Sequence, residues 1–268
     1  MTRYVHWTLG ALAVLLAGGG VGAQVIKYES GQNLVPVFEG WQRNEDGSYK
    51  FYFGYLNRNY VEQLDVPVGP ANRFEPGPAD RNQPTHFYTR RHEFVFSVTV
   101  PRDWERTRRL QWILVVNGKT ETANGWLQPE WEIDDGVIQM NLGPGGAPPS
   151  DPPNQYPKIA GGSKDITATV NTPVTLTVQA TDGGIPRPRK PRPNATTPPP
   201  PQGLRVRWLH YRGAGSVTFS PAQSVPVHGV PISESTQAVF ASAGSYVVRA
   251  VAFDGLLETP YDIVVTVK

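Results

Sequence analysis

The sequence contains no cysteine. Disulfide bonds, thiolate metal sites, a cysteine nucleophile and a lipid-modified N-terminal cysteine are therefore excluded. A chain without these supports depends on its hydrophobic cores for stability, so large cores are expected. At 268 residues the chain is long enough for two domains of ordinary size.

The chain also lacks a strong excess of charge of either sign. Its 25 Lys and Arg residues nearly balance 23 Asp and Glu residues, which leaves a net charge of +2. So small a charge exerts little long-range attraction on polyanions, and nucleic acid is not expected as a partner. Gly and Pro, at 27 residues each, favour turns and short strands over helices.

Long hydrophobic runs are absent except at the N-terminus. Arg3 precedes an apolar segment at residues 9–17, and small residues lead up to Gln24. This order is typical of a secretory signal peptide over residues 1–23. The alternative is a membrane anchor, but the apolar segment is about half of the roughly 20 residues that span a bilayer. Export is predicted, to the periplasm, the cell surface or the medium, with no transmembrane segment after cleavage.

Amphipathic helical patterning is also missing, and apolar residues recur instead at every second position. Alternating aromatic residues predict a strand with one face at Tyr49, Phe51, Phe53 and Tyr55. Alternating aromatic and aliphatic residues predict another strand, with one face at Phe94, Phe96, Val98 and Val100. Asn117-Gly118 lies between two apolar runs, which is a strong signal for a β-hairpin. Residues 24–142 are therefore predicted to form an N-terminal β-sandwich.

Two proline-rich segments carry no apolar periodicity. Residues 143–157 are predicted to form a Pro/Gly-rich linker between domains, because prolines favour extended, semi-rigid backbone. Residues 183–203 have strand patterns on both sides and are predicted to be a loop of the second domain. Four cations lie close together in that loop: Arg187, Arg189, Lys190 and Arg192. They form either a basic patch for acidic glycans, lipopolysaccharide or a surface polymer, or a solvated loop without a partner.

Residues 158–268 carry the strand pattern of a second sandwich. Trp208 is predicted to point inward from a central strand. Tyr246 begins a strand that alternates up to Asp254-Gly255. Asp and Gly both favour turns, so this pair is predicted to end the strand.

The order of these segments, with Gly244-x-Tyr246, Asp254-Gly255 and a closing strand, resembles immunoglobulin-like modules of the PKD and cadherin-like kind. The resemblance covers residues 154–268 and is compatible with a tyrosine corner at Tyr246. The N-terminal half looks like a domain of uncharacterised exported bacterial proteins, which transfers no activity. The predicted fold class is all-β, with two β-sandwich domains, the second immunoglobulin-like, joined by a linker.

Three aspartates are candidates for a calcium site, which needs several converging oxygen ligands. They are Asp182, Asp254 and Asp262, provided that one end of the second sandwich brings them together. The alternative is that Asp254 only terminates its strand. No other cofactor is expected.

Two groups in the first domain are candidates for binding. Asn57-Arg58-Asn59 interrupts an aromatic strand and is either a ligand-contacting edge or a strand end whose side chains satisfy loop backbone. Trp126 and Trp131 flank a proline and are candidates for a sugar-stacking platform, although most tryptophans lie in cores.

Signatures of catalysis are missing, and no catalytic residue is assigned. His86 and His92 lie six apart, which fits neither a helical pair nor a compact zinc clasp, and no third ligand is evident. The G-x-S-x-G nucleophile elbow is absent.

The predicted function is an exported, non-catalytic binding or structural protein of the cell envelope, with an envelope protein or glycan as partner and the second module as spacer or docking unit. The alternatives are a carbohydrate-binding module and a hydrolase of unrecognised type.

Overall fold

The structure is a computed structural model that describes residues 27–142, 150–188 and 202–268. Strands dominate these ranges, which confirms the predicted all-β class. The predicted signal peptide lies outside the described residues, and so do residues 143–149 of the predicted linker. Three of the four cations in the predicted basic loop also lie outside them: Arg189, Lys190 and Arg192.

The N-terminal sandwich consists of two facing three-stranded sheets and a short ribbon. The first sheet contains, in spatial order, β1 (Leu34–Arg43), β2 (Tyr49–Asn57) and β6 (Arg90–Val100). The second contains, in spatial order, β4 (Asn72–Glu75), β7 (Leu110–Val116) and β8 (Lys119–Gly125). The ribbon pairs β3 (Leu64–Asp65) with β5 (His86–Phe87).

An aromatic core fills the space between the two sheets. Phe51, Phe53 and Tyr55 are buried on one face of β2, as the alternation predicts. Trp112 packs edge to face against Phe53, and its ring stacks on the Phe74 ring with centroids 6.0 Å apart. A core of this size supplies the stability that disulfides cannot supply in this chain.

Phe94 departs from the predicted pattern. The register between β2 and β6 shifts at Phe53 and Tyr55, and Phe94 itself has a φ of 49°. Its ring packs against Tyr52, with centroids 5.9 Å apart, rather than joining Phe96 in the core. The backbone of this bulge, with its positive φ at Phe94, interrupts the alternation and turns the Phe94 ring away from the core, so the prediction for Phe94 is wrong.

The predicted hairpin is present at the expected residues. β7 and β8 pair from Val116 and Lys119 outward, so Asn117 and Gly118 form a two-residue connection. Their φ angles are 53° and 72°. Two positive φ angles in a row define a turn whose twist matches that of the flanking strands.

One short helix follows the N-terminal sandwich where the sequence predicts none. α1 (Asp135–Leu142) has eight residues, and a 3₁₀ turn at Pro129–Trp131 precedes it. Ile138 is the buried residue of α1, and its backbone N–H donates to the Asp134 carbonyl. None of the residues that the structure describes forms a helix with the length and apolarity to cross a bilayer.

The C-terminal sandwich consists of two four-stranded sheets. The first contains, in spatial order, β10 (Asp165–Ala168), β16 (Glu258–Val267), β15 (Gly244–Phe253) and β12 (Arg205–Arg212). The second contains β13 (Val217–Ser220), β14 (Ile232–Phe240), β11 (Val174–Thr181) and β9 (Lys158–Gly162). β10 and β16 run parallel, whereas the other paired strands of these sheets are antiparallel. This order is that of an immunoglobulin-like sandwich.

Two predicted features of this sandwich are present. Trp208 is 2% exposed on β12 and Tyr246 is fully buried at the start of β15. The Tyr246 hydroxyl donates to the Ser242 carbonyl, four residues upstream, at 2.8 Å. This is the hydrogen bond of a tyrosine corner, and it fixes the loop before β15.

Candidate functional site

The two sandwiches contact each other directly. The long loop between β3 and β5 of the N-terminal sandwich, residues 66–85, includes β4, and its end lies against β12. There the Thr85 N–H donates to the Tyr211 carbonyl at 3.0 Å. The His210 N–H donates to the Tyr88 hydroxyl at 2.8 Å. The Gly213 N–H donates to the Thr85 hydroxyl at 3.1 Å. Backbone of both sandwiches thus takes part in the junction.

Charged groups strengthen the junction. Arg212 forms two hydrogen bonds with the carboxylate of Asp80, at 2.7 and 3.0 Å, and its Nε donates to the Gln83 carbonyl at 2.7 Å. The hydrogen bonds from Arg212 lower the pKa of Asp80. A two-pronged guanidinium–carboxylate pair fixes orientation as well as distance.

Arg249 joins the sandwiches from within. It is 5% exposed, and its guanidinium pairs with Asp262 at 2.7 and 2.8 Å. The same guanidinium lies 3.4 Å from the centre of the Tyr211 ring and donates to the Val95 carbonyl of the N-terminal sandwich at 2.9 Å. Its charge is therefore paired with Asp262, and Nη1 makes the hydrogen bond that joins the two sandwiches.

A cleft of about 680 Å³ lies between the sandwiches. Its lining from the N-terminal side includes Tyr52, Ser97 and Arg91, and from the C-terminal side Arg207 and Glu258. Most of the charged side chains in it are paired: Arg91 binds both carboxylate oxygens of Glu39 and Arg207 binds Glu258. Lys50, which also lines the cleft, lies over the Tyr52 ring instead. The cleft thus offers a polar surface that is nearly charge-balanced.

Two aromatic rings form part of one wall of this cleft. Tyr52 and Phe94 lie edge to face there. Burial raises the pKa of Tyr52 to about 12, with Asp135 adding a further upward contribution, so its phenol keeps its proton in neutral solution. Such rings can pack against a ring or an acyl chain, while the Tyr52 hydroxyl donates its proton to Gln42 Oε1 at 2.6 Å.

Three side chains that can bind metal meet at the junction: Asp65, His86 and His210. One ligand atom from each lies within 4.8 Å of the other two, and this is the one such group of three or more in the described ranges. His86 Nδ1 is 2.7 Å from Asp65 Oδ1, and His86 Nε2 is 2.9 Å from Gln63 Oε1. The two imidazole rings stack, with centroids 4.3 Å apart.

The sequence alone singles out His86 but misses its partners. His210 belongs to β12 of the other sandwich, and Asp65 belongs to the ribbon strand β3. No spacing along the chain links these residues, because the contact exists only when the sandwiches pack together. The absence of an evident third ligand for His86 therefore reflects its position at an interface.

The structure places Asn57 and Asn59 inside the N-terminal sandwich. Both are 0% exposed. Asn57 Nδ2 donates to the Glu62 and Phe87 carbonyls, while Asn59 exchanges two hydrogen bonds with the Gln32 backbone. These amides thus satisfy loop backbone, which is the alternative that the sequence left open. Arg58 is exposed, and ligand contact here stays a prediction that depends on Arg58.

The two candidate tryptophans have different surroundings. Trp131 is 41% exposed and stacks on Phe38, with centroids 5.4 Å apart and planes 10° apart. Trp126 is half-buried, and the guanidinium of Arg109 lies 5.3 Å from the centre of its ring. Trp131 thus presents the more accessible ring, and sugar stacking on it stays a prediction.

The three aspartates considered for calcium do not converge. Asp262 is held by Arg249, at 2.7 Å. Asp254 is 1% exposed; its Oδ1 accepts from the Leu256 and Leu257 N–H groups, which ends β15 in the predicted turn. Burial raises the pKa of Asp254, and the nearby charge of Asp182 adds to this effect. Among the described residues, however, neither aspartate belongs to a group of three or more acidic or histidine side chains that could hold a metal ion.

The linker and the basic loop are described in part. Asn154 is buried and its Nδ2 donates to Asp254 Oδ2 at 2.9 Å, so this end of the predicted linker packs on the C-terminal sandwich. Arg187 is exposed, in agreement with either interpretation of the basic loop.

Comparisons with known proteins assign no family. No protein-family model and no curated protein match the chain. Similar solved structures include the N-terminal Ig1-2 module of the Drosophila receptor protein tyrosine phosphatase DLAR, at 10% identity and a TM-score of 0.31. Domains 4 and 5 of the S-layer protein SbsC have 11% identity and a TM-score of 0.27. Each match covers 88% of this chain and 98% of the other. At these TM-scores the likeness assigns no activity.

Proposed function

We propose that the chain is an exported, non-catalytic binding protein of the cell envelope whose ligand occupies the cleft between the two sandwiches. The observation that carries this proposal is the cleft itself, at about 680 Å³. Ligand sites in proteins are commonly clefts of this size at domain boundaries, with few polar groups at fixed positions. The N-terminal segment of the sequence supports export.

The walls of the cleft favour binding over chemistry. Arg91 and Arg207 are paired with carboxylates, so neither is free to hold a reacting anion. Arg249 donates to the Val95 carbonyl and the Tyr211 hydroxyl donates to the Asn82 carbonyl, so these two residues fix the walls against each other and keep the entropic cost of binding low. The charge balance and the aromatic wall suit a neutral polar ligand with a flat face, such as a glycan.

The test compares the mature chain, beginning at Gln24, with a variant whose cleft is filled. Ser97 is exposed and lines the cleft, so Ser97→Trp places a large ring in it. We expect at least a tenfold loss of binding, measured on a glycan array and by recovery of envelope components from the native extract. Ser235→Trp is the matched control. Ser235 is exposed on β14, in the sheet of the C-terminal sandwich that does not line the cleft.

Other outcomes separate the alternatives. Equal binding by wild type and Ser97→Trp would remove the cleft as the ligand site. Glycan binding that is lost in Trp131→Ala but kept in Ser97→Trp would place the ligand on the exposed tryptophan instead. The N-terminal mass of protein recovered from the envelope tests export: cleavage before Gln24 supports it, and an intact leader in the cytoplasm contradicts it.

A further inference from the structure

A second candidate site lies at the same domain boundary, and two of its side chains, His86 and His210, also line the cleft. It contains two imidazoles and one carboxylate, from His86, His210 and Asp65, with ligand atoms within 4.8 Å of one another. Mixed nitrogen and oxygen donors of this kind bind zinc and related divalent metals. We propose that these three side chains bind one divalent transition-metal ion, with zinc preferred, and that the ion joins the two sandwiches.

His210 is the residue that points to a ligand. It is 2% exposed, and within the described part of the chain neither of its ring nitrogens has a hydrogen-bond partner. A buried imidazole without partners is unfavourable, and a metal ion satisfies one nitrogen directly.

His86 and Asp65 already have the arrangement of a ligand pair. His86 Nδ1 and Asp65 Oδ1 lie 2.7 Å apart, and a metal takes the place of the proton between them. Two ligands at about 2.0–2.1 Å from a tetrahedral ion lie about 3.3 Å apart, so this pair opens by roughly 0.6 Å. His86 Nε2 meanwhile faces Gln63 Oε1 at 2.9 Å, which is the outer contact that orients a metal-bound histidine.

One adjustment of the rings is required. The imidazoles of His86 and His210 stack with planes 23° apart, and in-plane lone pairs of nearly parallel rings do not converge. The rings therefore tilt when the ion binds. The Asp65 side chain is 43% exposed, so the ion has access from solvent and a water molecule can complete a tetrahedral shell.

The test uses the untagged mature chain after removal of metal with a chelator. Calorimetric titration with Zn²⁺ should give one ion per chain, and Co²⁺ should give the visible absorption bands of a tetrahedral site. We expect Asp65→Asn and His86→Gln each to weaken Zn²⁺ binding at least tenfold. Zn²⁺ should also raise the melting temperature of wild type, because the ion binds only when both sandwiches are folded.

His228→Gln is the control, since His228 is an exposed histidine outside the group and contacts the Gly184 carbonyl. It should bind Zn²⁺ as wild type does. Asp65→Asn decides the question because Asp65 lies at the rim and its replacement keeps the side-chain shape; circular dichroism checks its fold. Less than one ion per chain at excess Zn²⁺, or unchanged affinity in Asp65→Asn, overturns the proposal. Equal loss in His228→Gln also overturns it.

Discussion

Buried polar residues hold the long loop of the N-terminal sandwich in place. Asn72 is fully buried, and its Nδ2 donates to the Val66 and Pro84 carbonyls at 2.9 and 2.8 Å. Its Oδ1 accepts from Trp112 Nε1 at 2.9 Å. One side chain thus connects both ends of the loop to the aromatic core. Because a buried amide with satisfied hydrogen bonds specifies one arrangement, the loop reaches the junction in a defined shape.

His92 makes the stability of the N-terminal sandwich sensitive to pH. Its ring stacks on Tyr55, with centroids 4.9 Å apart, and Nε2 lies 3.0 Å from the Thr89 carbonyl. Burial lowers the pKa of His92, and the charges of Arg207 and Arg91 add to the effect. In the unfolded chain the His92 imidazole has a pKa of about 6.5. Between that value and the lower folded pKa, the unfolded state therefore binds more protons than the folded state. The contribution of neutral His92 to the free energy of unfolding is fully present above about pH 6.5. This contribution is lost as the pH falls from there towards the folded pKa of His92.

We therefore expect wild type to lose more free energy of unfolding between pH 7 and pH 5 than His92→Gln does. Urea unfolding at both pH values measures the two losses. An equal loss in both proteins, or a larger one in the variant, would contradict this assignment.

At the scale of elements, the sequence predicts strands better than it predicts their faces. Alternation correctly placed Phe51 and Phe53 in the core, and Asn117-Gly118 correctly predicted the hairpin. Phe94 was placed on the wrong face because a bulge shifts the register, and alternation carries no signal for it. Local rules therefore succeed where the backbone is regular.

The turn between β7 and β8 tests one of these local rules. Gly118 has a φ of 72° and a side chain added there would meet no atom within 4 Å. Gly118→Ala therefore costs backbone strain alone, which we expect to lower the free energy of unfolding by about 1–2 kcal/mol. Gly161→Ala is the control, since Gly161 also has open space but no positive φ. Chemical denaturation of both variants measures the difference, and equal stability would contradict the strain argument.

At the scale of the whole molecule, the sequence could not predict the junction. Arg212 contacts Asp80, and Arg249 contacts Val95, across the two sandwiches. Such contacts depend on how the surfaces of the two folded sandwiches fit together. Nothing in the sequence around Arg212 or Asp80 indicates that these two residues pair. The candidate metal ligands and the cleft are at this junction, so sequence reasoning reached the fold but missed both sites.

Arg212 should couple the unfolding of the two sandwiches. Arg212→Met removes two hydrogen bonds to Asp80 and one to Gln83, which we expect to cost about 1.5–3 kcal/mol because the donor is charged. Scanning calorimetry should show one transition in wild type and a broadened or divided transition in the variant. Arg73→Met, which removes an ion pair within β4, should leave the wild-type profile nearly unchanged. A similar profile for both variants would argue against coupling.

The parallel pairing of β10 with β16 has a mechanical consequence. Residues 165–168 lie beside residues 264–267 with both strands pointing the same way. Tension between the start of the C-terminal sandwich and the end of the chain pulls these neighbours in opposite directions along their length. The hydrogen bonds between them would then share the load in shear instead of breaking one after another, so we expect this short ladder to resist stretching.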